Sequence, residues 1–329
     1  KFLMSKIKGL QQSGHEVILF VNKNDNFNLC EVVEMPKISN FILIQIIKMA
    51  LAYFIIIIQS PIRTIKFLRL EKLDGKSFRL CWENLYLNSR IIGKNLDWLH
   101  FCYTTTTFRK ENIAQSINAK MGVSLRGYDI NIYPLKNHNC YSLLWQKVDK
   151  VHSISYSLLK KAKKYGLNSS VKKEVIFPAI NTKKFKIKRC LKSFNPKKTI
   201  EILTVARLHW IKGLEYIIEA MGKLESVNFK YTIVGNGDEY ERLALAIKQL
   251  NLKNKVQLVG FVPHDDIVTF YKKADIYIQY SIEEGFCNAA LEAQSMGVLT
   301  IVSDASGLIE NVVHGKTGWV VPKRRSKLL

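Results

Sequence analysis

Short apolar runs, the first of them continuous, alternate along this chain with longer stretches of mixed polarity. In the first half the runs are VILFV up to Val21, LDWLHFCY around Asp97, MGVSL before Arg126, VDKVHSIS around Lys150 and EVIFP near Val175. In the second half they are IEILTVA, FKYTIVG, VQLVGFV, DIYIQYS, LTIVSD and TGWVV. Apolar residues on consecutive positions predict strands buried on both faces. Helical stretches between them, such as DEYERLALAIKQLN and FCNAALEAQSMG, predict parallel α/β sheets. The N-terminal residues read as a helix with Leu10 near its end and Gly14 as the residue that closes it.

One stretch breaks the alternation. Phe41 to Ile58 is apolar except at Gln45 and Lys48, and Ser60-Pro61 ends it. Only the ten residues Met49–Ile58 are uninterrupted, against about 18–20 for a membrane span. Three readings are open: a buried helix of the first domain, an interfacial helix touching a bilayer, and a true span. The next segment sets Arg63, Lys66, Arg69 and Lys72 among Ile62, Ile65, Leu68 and Leu73. That pattern suits an anionic lipid surface or an ordinary solvated face.

The length, 329 residues with 47% hydrophobic and 23% charged, predicts two domains and excludes a disordered chain. Residues 183–198 carry eight basic residues, no acid and the pair Asn195-Pro196. The expected division is a domain over 1–188, a linker over 189–199 and a domain over 200–329. The net charge is +23, and residues 1–190 hold 32 basic against 12 acidic residues. An anionic partner is therefore expected mainly at the first half. Six cysteines without a C-x-x-C pair argue against a disulfide framework or a zinc site and fit a reducing cytosol. A start inside a helix and an end shortly after Val321-Pro322 read as a chain truncated at both ends, lacking a first strand and a closing helix.

Four segments carry candidate chemistry. In EGFCNAALE, Glu284 and Glu292 are separated by seven residues across a strand–loop–helix junction. Gly285 lets a ligand approach the backbone, and the helix N-terminus near Phe286, Cys287 and Asn288 suits an anion. Two carboxylates flanking such a site suit the hydroxyls of a nucleotide sugar. In VARLHWIKG, Arg207 ends a strand and Lys212 follows five residues later, so both cations can neutralise a diphosphate. Gly235 and Gly237 form a G-x-G turn after a strand, and Gly260 can admit a base to the backbone. The N-terminal loop RGYDI adds Arg126 and Asp129. Singly, each of these reads equally as a surface charge, a turn or a cap.

In this order the segments resemble the C-terminal domain of retaining glycosyltransferases of family 4, which have the GT-B fold: α/β, with two Rossmann-like doubly wound domains facing a cleft. The match includes the R-x4-K pair, GNGDE, LVGFVP, the E-x7-E motif and SDASGLIENVVHGKTGWVVP. GHEVILF, LDWLHF, RGYDI, VHSIS and VIFPAINTKKF resemble the family's N-terminal domain. The resemblance implies that Glu284 contacts the donor sugar, Glu292 the ribose, and Arg207 and Lys212 the diphosphate. Amides at Phe286, Cys287 and Asn288 would complete that cradle. It implies no cofactor beyond the nucleotide-diphosphate sugar as co-substrate, and no metal. The sequence has no D-x-D motif and no His/carboxylate cluster. Many relatives have His where this chain has Arg126, and Arg126 stays protonated, so Asp129 is the candidate base.

The expected function is a metal-independent hexosyltransferase passing a sugar to a saccharide acceptor, lipid-linked, in surface polysaccharide or lipopolysaccharide assembly. The resemblance and the charge place it in the cytoplasm, peripheral on the inner face of the plasma membrane, with an anionic membrane surface as partner. The rival readings are a sugar-nucleotide epimerase and a non-catalytic nucleotide-sugar-binding scaffold. Nucleic acid is not an expected partner: no recognisable motif is present, and the charge avoids the half that carries the phosphate-binding features.

Overall fold

The structure, a computed structural model, describes residues 2–186, 198–224 and 226–329. Residues 189–197 of the expected linker, and Cys190 with them, lie outside the described residues. The chain forms two compact units. One comprises Lys1–Ser124, Tyr141–Val151 and Ser170–Lys172; the other comprises Leu125–Cys140, His152–Ser169 and Lys173–Leu329.

The first half runs α1 (Phe2–Gln12), β1 (Ile18–Val21), β2 (Glu31–Glu34), α2 (Ile42–Gln59), α3 (Pro61–Leu73), α4 (Phe78–Ile92), β3 (Trp98–Phe101), α5 (Ile113–Ser116) and β4 (Lys120–Leu125). It continues through α6 (Tyr128–Asn131), α7 (Tyr133–Lys136), α8 (Ser142–Lys147), β5 (Lys150–Ser153), α9 (Tyr156–Lys164) and β6 (Lys172–Val175). The apolar runs become strands as expected, but β1, expected to be buried on both faces, is only half-buried along its length, and EVIFP gives only Glu174 and Val175 to β6. Strands β3, β4, β5 and β6 form one sheet in that order, while β1 and β2 pair in parallel as a separate ribbon. The pattern did not signal β2, because EVVE holds only two apolar residues between glutamates. Serine caps start two of the helices: Ser77 accepts from the Leu80 N–H at 3.3 Å and Ser155 from the Leu158 N–H at 3.2 Å.

The reading of Phe41–Ile58 as a buried helix is overturned. Of the 18 residues of α2 only Ile56 is buried. A narrow stripe of Gln45, Met49, Ala52, Tyr53 and Ile56 is the better-covered side of the helix. Tyr53 docks on α4, its hydroxyl donating to the Trp82 carbonyl at 2.9 Å and its ring meeting the Trp82 ring edge-on. Ile42, Leu43, Ile46, Ile47, Leu51, Phe54 and Ile58 are exposed. By length and composition, α2 is long and apolar enough to cross a membrane.

The interior of the first unit contains a polar knot. Glu71 on α3 is fully buried. Its carboxylate accepts from Lys76 at 2.9 Å, from Asn112 at 2.8 Å and from Asn84. Nearby, Asp74 accepts from Asn112 and, at 3.0 Å, from Lys147. A buried carboxylate is tolerated only with such complete pairing.

The second half runs β7 (Ile200–Val205), α10 (Leu214–Met221), β8 (Phe229–Val234), α11 (Tyr240–Gln249), β9 (Val256–Gly260), α12 (Ile267–Lys273), β10 (Ile276–Gln279), α13 (Asn288–Ser295), β11 (Leu299–Ser303) and β12 (Trp319–Val321). The six strands are parallel in the order β12-β11-β10-β7-β8-β9. The core divides between two clusters, one around Ile217, Ile218, Tyr231 and Leu243, the other around Tyr271, Ala290, Met296 and Val302. This is the doubly wound order, whose direction reverses between β7 and β10. Ligands of such sheets bind at the carboxyl ends of the strands flanking that reversal. The topology therefore selects the loops after β7 and β10.

Candidate functional site

Both selected loops carry the residues singled out above. After β7, Arg207 is exposed, and the chain reaches Lys212 in a single 3-10 turn, Trp210–Lys212. After β10 come Glu283, Glu284 and Gly285. The Lys212 ammonium lies 2.5 Å from the Glu284 carboxylate, and their side chains are 18% and 13% exposed. Burial pulls the Lys212 pKa down, but the neighbouring Glu284 carboxylate prevails and raises it above its usual value. Lys212 is thus a cation throughout the neutral range.

Glu284 is positioned by a buried relay along one face of the chain leaving β10. Tyr277 donates to Gln279 at 2.7 Å, Gln279 to Ser281 at 2.9 Å, and Ser281 to Glu284 Oε2 at 3.1 Å. Alternate residues of a strand share a face, which is why positions 277, 279 and 281 can hand the bond forward. Lys212 and Ser281 both bind Oε2. Among the described residues, Oε1 takes no hydrogen bond.

Gly285 is packed from both sides. A Cβ there would run into the Arg126 carbonyl, and a Cβ on Gly307 would run into the Gly285 carbonyl. Only glycine lets the three backbones meet. The turn at Arg126 is itself held by Asp129, whose buried carboxylate accepts from the Arg126 N–H at 3.0 Å and the Gly127 N–H at 2.8 Å. Asp129, the expected base, thus holds the turn that presses on Gly285. Beyond Gly285, Phe286 stacks on Phe177 with centroids 5.4 Å apart, and Cys287 immediately precedes α13, which begins at Asn288, without a side-chain capping bond. Burial, with Glu284 adding to it, pushes the Cys287 thiol up to about 12, so it is inert at neutral pH.

Gly235 and Gly237 have a structural task. Both have positive φ, and a Cβ on either would strike the Ala206 or Leu208 carbonyl. The GNG turn buttresses the segment carrying Arg207 through the Leu208 N–H to Asn236 bond of 2.9 Å. Gly260 closes the next turn, its carbonyl accepting from the Gly235 N–H at 2.9 Å.

Sequence reasoning missed several partners. Glu283 binds Lys161 at 2.8 Å, Ser306 at 2.8 Å and Lys323 at 3.5 Å. Burial raises its pKa, yet Lys161, Ser306 and Lys323 together hold the carboxyl below its usual range. Glu310 accepts from the Tyr156 and Ser157 N–H groups, each at 2.8 Å, and so caps α9. Glu292, in the second turn of α13, is bound by His264 and Tyr271. None of these pairings has a fixed short spacing that a motif could register. Among the described residues, no group of three or more His, Cys, Asp or Glu could hold a metal ion.

This arrangement, with two cations, a paired carboxylate and a helix start at a topological switch, fits a phosphorylated ligand. The family model for glycosyl transferases group 1 matches residues 188–329. Over that span the chain is similar to the glycosyl transferases group 1. An uncharacterised glycosyltransferase of Methanocaldococcus jannaschii is 43% identical over 124 residues, 37% of this chain and 32% of that protein. WcaL of Escherichia coli, a glycosyltransferase named for colanic acid biosynthesis, is 30% identical over 240 residues, 70% of this chain and 58% of that protein. The chain thus spans about a third to three-fifths of the length of these relatives. Anabaena HepE, solved with UDP and glucose, superposes with a TM-score of 0.63 at 17% identity, covering 74% of this chain and 69% of HepE. The fold of the chain is GT-B: α/β, with parallel sheets of Rossmann type.

Proposed function

We propose that the chain is the core of a retaining, metal-independent glycosyltransferase acting in surface polysaccharide assembly. Its donor is a nucleotide-diphosphate sugar, UDP-linked as in the ligands of HepE. Its acceptor is a lipid-linked saccharide. The observation that carries this reading is the Lys212–Glu284 pair beside Arg207 at the opening of α13, on the reversal point of the sheet. Arg207 and Lys212 stabilise the diphosphate as the anomeric C–O bond breaks, with the first amides of α13 adding their dipole. The open Oε1 of Glu284 accepts from a hydroxyl of the sugar. Asp129 is committed to the Arg126–Gly127 turn, so we assign the acceptor's proton to a departing phosphate oxygen on the same face of the sugar.

Incubation with UDP-, GDP- and ADP-sugars and a prenyl-diphosphate saccharide, in excess EDTA, tests this. The expected result is one donor consumed, with its anomeric configuration kept in the product. Epimerised nucleotide sugar without acceptor, or donor binding without turnover, would replace the proposal by one of its rivals.

The exposed face of α2 supports a membrane setting. Its inner stripe is tied to α4 through Tyr53, and α4 carries Arg79, Glu83 and Arg90. Crossing a bilayer would take those charges with it, so α2 is read as lying in the interface plane. Each Lys or Arg near an anionic surface adds about 1 kcal/mol, which makes the surplus in residues 1–190 enough for peripheral attachment at the cytoplasmic leaflet. Sedimentation should show binding to anionic liposomes that weakens as salt rises. Equal binding to neutral liposomes, or none, contradicts it.

A further inference from the structure

The carboxylate of Glu292 is 8% exposed and is approached from two directions. Tyr271 donates to Oε2 at 3.1 Å, and His264 Nε2 lies 2.9 Å from Oε1. Burial and the nearby Glu292 charge hold the Tyr271 hydroxyl far above its usual pKa, so it remains a neutral donor.

The other ring nitrogen of His264 decides the tautomer. Nδ1 faces the Lys184 ammonium at 3.4 Å. Lys184 is held there by the His264 carbonyl at 3.0 Å and by the Asp265 carboxylate. An ammonium has donors and no acceptor. Nδ1 must therefore present its lone pair, and the ring proton sits on Nε2, aimed at Glu292. Phe185 fixes the plane of the ring by an edge contact with centroids 5.3 Å apart.

An ionised carboxylate offers about four acceptor positions, two on each oxygen. Tyr271 takes one on Oε2 and His264 one on Oε1, which leaves one on each oxygen. Two acceptors at carboxylate spacing match the two hydroxyls of a vicinal diol. We propose that His264, held in this tautomer by Lys184, is a positioning residue that aims Glu292 at the ribose diol of the donor nucleotide. The proposal rests on the nucleotide-sugar reading of the site.

Calorimetry with UDP and 2′,3′-dideoxy-UDP tests it (GDP or ADP and their dideoxy forms replace them if the wild type holds those instead). The wild type should prefer the nucleotide with the diol by about 30-fold, as hydrogen bonds to a charged group imply. In His264→Ala the preference should fall to about 3-fold, through weaker binding of UDP while dideoxy-UDP changes less than about 2-fold. His264→Gln, whose amide N–H can reach the same carboxylate, should restore most of it. An unchanged preference in His264→Ala, or a glutamine variant behaving like alanine, overturns the proposal. A wild type that binds none of the three nucleotides overturns the donor reading itself, and this inference with it.

Discussion

Arg207→Ala should lower transfer by about 10²–10³-fold, the cost of removing one preorganised donor from a charged transition state. Arg207 is exposed, so the melting temperature should stay within a degree or two of the wild type. The partner substitution, Lys212→Met, should lower transfer at least as much and also destabilise, because it strands the Glu284 carboxylate in a site only 13% exposed. Glu284→Gln keeps the shape of the site and removes the charge. It should lower kcat more than it raises KM if Glu284 acts on the developing sugar cation. The raised pKa of Lys212 has a direction to check as well. Stability from this pair is complete below the ordinary lysine pKa of about 10.4 and is lost as pH rises through the raised value. The pair therefore contributes no pH dependence near neutrality. Near-normal transfer by Arg207→Ala would remove it from the diphosphate site, whatever the fate of the other assignments.

The largest stability effect is expected far from that site, at Glu71. Replacing it by alanine leaves Lys76, Asn84 and Asn112 pointing into a space without their acceptor. Breaking a buried charge pair from one side costs about 3–5 kcal/mol. Asp74 retains Asn112 and Lys147, which keeps the loss at the lower part of that range. Urea unfolding followed by tryptophan fluorescence reads the effect, since Trp82, Trp98 and Trp145 all lie in the first unit. A shift under about 1 kcal/mol would mean that the knot is hydrated and that its members pair with water instead.

Much of the candidate site was legible because its geometry is local. Glu284 and Gly285 follow a strand and precede a helix, and that junction was readable from DIYIQYS and the helical pattern after it. Arg207 and Lys212 are only five positions apart. What could not be read is which distant side chains meet them. His264 and Glu292 are 28 residues apart, Lys161 and Glu283 122 apart, and each pair meets only because separate elements pack together. The GNG turn shows the converse: its glycines were legible, but their work as a buttress behind Arg207 depends on the carbonyls of Ala206 and Leu208 in the loop after β7.

The helix α2 marks the boundary between the two kinds of information. Its apolar composition and its end at Ser60-Pro61 are properties of the chain, decided by side-chain transfer energies and by proline's missing N–H. Whether those side chains are covered depends on which neighbours arrive, and here α4 covers one stripe and leaves the rest open. The sequence by itself determined the α/β class, every strand but β2 and the chemical types at the ends of β7 and β10, because apolar strands and loop residues declare themselves over a few positions. Only the tertiary structure decided the strand order that makes those ends a candidate site, the exposure of α2, and the partners that hold Glu284 and Glu292, because each requires contacts between segments far apart in the chain.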